Sequence, residues 1–125
     1  MKSLTHYIQE KLIIKKNKYK YFPQTKKELQ DIILQRIKAE GNEVDLNDID
    51  TSNITDMGYL FCKTDNFNGD ISSWDVSNVK DMSYMFSNCE SFNQDISTWD
   101  VLNVKDMYNM LTNCQIEKKY KPKFK

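Results

Sequence analysis

The chain has 125 residues and no formal net charge, with 39% hydrophobic and 29% charged residues. That length argues for one domain with appendages. The composition is polar without being that of a disordered, collagenous or coiled-coil chain. Fifteen aromatics (two Trp, seven Tyr, six Phe) support a packed core. No stretch approaches the roughly 18–20 apolar residues of a membrane span, and residues 1–7 lack the pattern of an export signal. A cytoplasmic location without a membrane is therefore expected. Three cysteines, an odd number, argue against a disulfide framework and fit a reducing compartment.

The neutral total hides a segregation of charge. Residues 1–40 carry ten Lys/Arg and four Asp/Glu, residues 41–115 three and thirteen, and residues 116–125 five and one. A basic head, an acidic body and a basic tail imply differently built parts.

The head comes first. Leu4, Tyr7, Ile8 and Leu12 give a weak helical face over about 3–12. Lys15 to Phe22 is basic with interleaved aromatics and reads as strand or loop. Thr25-Lys26-Lys27-Glu28 is a capping box, Leu29, Ile32, Ile33 and Ile37 share a face, and Gly41 stands where a helix stops. A helix over 26–40 follows. The head, 1–44, is expected to cap what comes after it.

The body repeats. Residues 67–89 read FNGDISSWDVSNVKDMSYMFSNC and residues 92–114 read FNQDISTWDVLNVKDMYNMLTNC, with 16 identities in 23 positions at an offset of 25. A divergent copy precedes them: Ile49-Asp50 aligns with Trp74-Asp75, and Asp56-Met57 with Asp81-Met82. The units are 45–66, 67–91 and 92–115, followed by the tail, 116–125. A 25-residue period suits one strand and one short helix per unit, stacked on their neighbours. Ile71, Trp74, Val76 and Val79 would form the strand. Asn53-x-x-Asp56, Asn78-x-x-Asp81 and Asn103-x-x-Asp106 look like helix starts with structural caps. Met82, Met85 and Phe86 then share one helical face, and Cys89 and Cys114 form core thiols.

The string D-I-S-x-W-D-V-x-N-V-K-D-M-x-x-M-F-x-x-C resembles the BspA-type leucine-rich repeat family. The resemblance covers about residues 45–115. It implies an α/β fold, a short right-handed solenoid with a parallel strand per repeat, here with a helical cap. It implies protein binding or adhesion and no enzyme. A short copy without a leader is similar to the small family members of phages and prophages.

Candidate sites are few. His6 is the sole histidine, the cysteines lack CxxC spacing, and no glycine-rich phosphate loop is present. Neither catalysis, metal nor cofactor is expected. Asp70 and Asp95 read as turn-holders. Asp50, Asp75 and Asp100 alternate with inward positions and should point outward, in a ladder of like charges about 4.8 Å apart. That acidic strip, with Ser73, Thr98, Ser77 and Leu102, is the candidate contact surface for a protein partner. Solvation by neighbouring hydroxyls and amides is the bland alternative. Trp74 and Trp99 read as core rather than as an exposed aromatic strip. Lys dominates over Arg and the body is acidic, so nucleic-acid binding is not expected. Two other functions stay open: a phage-borne inhibitor whose acidic face imitates nucleic acid, and a structural unit that self-associates head to tail.

Overall fold

The structure, a computed structural model, describes residues 3–124. Two helices lead the chain, α1 over Leu4–Lys18 and α2 over Lys26–Glu40. After them the backbone runs as a succession of turns to a short 3₁₀ turn at Lys118–Tyr120.

Local chemistry sets both helices. Ser3 caps α1 by accepting from the His6 amide, and Thr25 caps α2 by accepting from the Glu28 amide. The Glu28 carboxylate accepts in return from the Gln24 amide. Gly41, at φ +97°, ends α2 in a conformation that only glycine adopts readily. α2 buries Leu29 and Ile33 in the same core as Leu46, Ile49 and Ile54. α1 buries no residue and runs longer than its apolar spacing suggests, through the lysines of the basic stretch. Tyr21 then bridges Ile49 in parallel, and its carbonyl accepts from the Asp50 amide.

The α/β class, with a strand and a helix in each repeat, does not hold. Among the described residues no strand forms; parallel pairing shrinks to single bridges at Tyr21 with Ile49, Asp56 with Asp81, and Asp81 with Asp106. Nor does a helix follow Asn53, Asn78 or Asn103, so those residues and Asp56, Asp81 and Asp106 are not helix caps. The leucine-rich-repeat solenoid implied by the resemblance is overturned with them.

The physical reason is turn chemistry. An aspartate accepts from the amide two residues on at Asp45, Asp50, Asp56, Asp70, Asp75, Asp81, Asp95, Asp100 and Asp106. Each such Asx turn bends the chain before a strand can extend. Amide-to-carbonyl bonds across three residues close further turns at Ile71–Trp74, Val76–Val79, Met82–Met85 and Phe86–Cys89. Apolar residues three apart thus reach one interior without a helix. Tyr59, Tyr84 and Asn109, equivalent positions, take left-handed φ of 59°, 55° and 51°. That conformation stops helix propagation and is strained for tyrosine.

The repeats nevertheless stack in register. Amides of Met57, Tyr59 and Phe61 donate to carbonyls of Asp81, Ser83 and Met85, and those of Met82, Tyr84 and Phe86 to Asp106, Tyr108 and Met110. Lys80 and Lys105 amides donate back to Thr55 and Lys80. Equivalent rings lie on one another: Phe61 on Phe86 at 5.1 Å, Phe67 on Phe92 at 6.0 Å, and Trp74 on Trp99 at 6.4 Å. Phe61, Phe67, Phe86 and Phe92 are fully buried. Gly69 passes so close to the Val44 carbonyl and the Phe67 ring that no side chain fits there. The tail covers half of the last repeat, where the Ile96 amide donates to Tyr120 and the Glu117 amide to Asn93 Oδ1.

Candidate functional site: an acidic strip on the repeat turns

An open groove of about 320 Å³ lies beside α1, lined by Leu12, Lys15, Lys16, Phe22, Asp50 and Asn53, with no histidine or cysteine. His6 sits on α1, where its ring meets the Glu10 carboxylate. No group of three His, Cys, Asp or Glu side chains could hold a metal ion among the described residues. Burial pushes the Cys89 thiol up to about 12 and raises Cys114 as well, which disfavours the thiolate at both. Cys89 is fully buried, while Cys114 is half-buried. Trp74 and Trp99 are core, each with its indole N–H bonded to a carbonyl of the preceding repeat, Leu46 and Ile71.

The acidic strip divides. Asp50 is 5% exposed, so it does not face outward. Its Oδ1 accepts from the Ser52 amide and hydroxyl, and Lys15 of α1 reaches its Oδ2 at 3.3 Å. Burial would raise the Asp50 carboxyl, but the Ser52 bonds and Lys15 outweigh it and hold it low. Asp75 and Asp100 are exposed. Asp75 Oδ1 accepts from the Ser77 amide and hydroxyl, and Asp100 Oδ1 from the Leu102 amide. Their Oδ2 atoms have no partner among the described residues. Ser73, Thr98 and Leu102 are exposed beside them, and Ser77 is half-buried.

A second tier lies five residues earlier in each repeat. Asp70 is held low chiefly by the Ser72 amide, and Asp95 by the Ser97 hydroxyl. The repeats carry only Lys63, Lys80 and Lys105, none of them between Asp70 and Asn78 or between Asp95 and Asn103. The turns therefore present fixed carboxylates without cations of their own.

Asn53, Asn78 and Asn103 instead tie each repeat to the element before it. Asn78 and Asn103 Nδ2 donate to the Ser52 and Ser77 carbonyls at 2.7 Å, and Asn53 to Gln24. Asp56, Asp81 and Asp106 hold the amides of Gly58, Ser83 and Tyr108. Sequence reasoning missed a row of tyrosines beyond them. Tyr59 stacks on Tyr84 at 4.7 Å and 8°, and Tyr108 meets Tyr84 edge-on. Tyr59 and Tyr108 are exposed. The alignment of Tyr59 with Tyr84 was the available signal.

Stacked turns of fixed period, closed at one end by a helix, define a repeat protein. The chain belongs to the family described as Mycoplasma protein of unknown function, DUF285, which matches residues 28–121. No curated protein and no solved structure shows a significant match. Among the described residues no helix is long and apolar enough to cross a membrane.

Proposed function

We propose that the chain is a non-enzymatic protein-binding module whose acidic turns take a lysine-rich segment of a protein partner. The observation that carries this reading is internal: Lys15 of the basic helix α1 already sits on Oδ2 of Asp50. Asp75 and Asp100 occupy the same place in the next two repeats, each with Oδ1 engaged and Oδ2 without a partner among the described residues. A segment bearing lysines would meet carboxylates already fixed in position, so less ordering is needed on binding. The resemblance to BspA-type repeats in residues 45–115 favours protein binding as well.

The test uses Asp75→Asn with Asp100→Asn, since an asparagine oxygen keeps the turn and removes only the charge. A protein retained by wild type from a lysate of the native source, lost with the double variant and released by salt, is the expected result. Equal retention by both, at equal melting temperature, would remove the strip from the reading.

A further inference from the structure

The two ends of the stack are finished differently. At the front, α2 covers the 56–62 half of the first repeat. It buries Leu29 and Ile33 there, Gln30 Nε2 donates to the Leu60 carbonyl at 3.3 Å, and Lys26 pairs with Asp56 at 3.1 Å. In later repeats the equivalent carbonyls, Met85 and Met110, are taken by amides of the preceding repeat. Gln30 thus stands in for a missing neighbour.

At the far end no described residue covers the equivalent half, 106–113. The Met82, Tyr84, Phe86 and Asn88 amides donate onward to the next repeat, but Met107, Asn109, Leu111 and Asn113, one period later, have no partner for theirs among the described residues. Met107 and Tyr108 are exposed there by 37% and 65%. Asp106, equivalent to the paired Asp56, has no cation partner among the described residues.

α1 is the complementary anomaly. Leu4, Tyr7, Ile8, Leu12, Ile13 and Ile14 are all about half exposed or more, on a helix that buries nothing. Its sequence carries the cap pattern of α2. Ile8-Gln9-Glu10 and Leu12-Ile13 stand in the register of Leu29-Gln30-Asp31 and Ile33-Leu34, with Lys15 matching Arg36. Thr5 stands where Lys26 does, so the match lies in the apolar pair and the amide. Gln9 can accept as well as donate, which suits an edge of unpaired N–H groups.

We propose that α1 of one molecule caps the open 106–113 end of a second molecule of the same chain, through Ile8, Gln9 and Leu12 against Met107, Tyr108 and Leu111. Pairing of two α1 helices with each other is opposed by charge, since each carries four lysines and one glutamate within Leu4–Lys18. The contact is heterologous, so it propagates into a chain or closes into a ring. It does not use the free carboxylates of Asp75 and Asp100.

Sedimentation equilibrium tests it with two surface variants, Ile8→Glu with Leu12→Glu, and Met107→Glu with Tyr108→Glu. Wild type should rise with concentration to at least twice the monomer mass. Each double variant should stay monomeric with an unchanged melting temperature. An equimolar mixture should form a dimer and nothing larger, because one intact α1 and one intact end remain. The milder Ile8→Ser and Met107→Gln should weaken association by at least threefold if either pair disturbs folding. A wild type that stays monomeric, or a Met107/Tyr108 variant that associates like wild type, would overturn the proposal. Asp75→Asn with Asp100→Asn should associate normally, which separates this result from the strip's.

Discussion

α1 and α2 have the same length, 15 residues, and each begins on a hydroxyl cap, yet they stand in opposite relations to the fold. α2 keeps Leu29 and Ile33 fully buried against the first repeat, and its Arg36 is tied to Asp48 and Glu40. Burial would lower that guanidinium, but the hydrogen bonds it donates to Asp48 and Glu40 outweigh it and raise it. α1 touches its own body through Lys15 and the groove residues Leu12 and Lys16. Helix propensity and capping thus make helices equally well in both places. What makes α2 part of the core is that Leu29 and Ile33 fall on one face and that face meets an unfinished repeat. Ile8 and Leu12 of α1 also share a face, but that face meets no unfinished repeat of its own molecule, and Ile13 lies on another flank.

Substitutions can break or sharpen that contrast. The largest effect is expected from Ile33→Ala, at about 2–5 kcal/mol of stability for a fully buried isoleucine, read by denaturant unfolding. Ile13→Ala, 58% exposed on α1, should stay within about 0.5 kcal/mol. Equal losses would mean that α1 is as integral as α2. Next, Thr25→Ala should cost about 1 kcal/mol through the lost cap, whereas Ser3→Ala should lower helical circular dichroism and leave the main transition in place.

A small effect is also expected from Lys15→Ala. The ion pair is half-exposed on the lysine side, so its loss should cost under about 1 kcal/mol near neutral pH. The pH dependence is more telling. The Asp50 carboxyl is held below its ordinary value, so its contribution is present above about pH 4 and fades as pH falls through the folded-state value. Without Lys15 that value rises, and acid destabilisation should begin at a higher pH. An unchanged acid limb in a melting-temperature series would show that Ser52 alone holds the carboxylate.

The period, the interior and α2 were legible in the sequence; the backbone path between interior positions was not. Met82, Met85 and Phe86 are three and four residues apart, which fits a helix face and a run of turns equally. The deciding signal was the Asp-x-Ser spacing at Asp70, Asp75, Asp81 and Asp95, whose second residue supplies both an amide and a hydroxyl to the same carboxylate oxygen. Asp50 was legible as an acid in register but not as buried, because the lysine that covers it comes from 35 residues away. The left-handed tyrosines carry no signal at all, since tyrosine does not favour that region; only Asn109 in the third repeat hints at it.

The register of the stack bears on how such a chain can change over generations. Every inter-repeat bond joins residues a near-fixed interval apart, from Trp74 reaching Leu46 to Asn103 reaching Ser77. Gaining or losing one residue inside a unit would misalign aromatic rings and amides along the rest of the array at once. Duplicating or deleting a whole unit leaves every remaining junction of the same kind as before. Length in this architecture is therefore inherited in whole units, and single-residue change is confined to what each position displays.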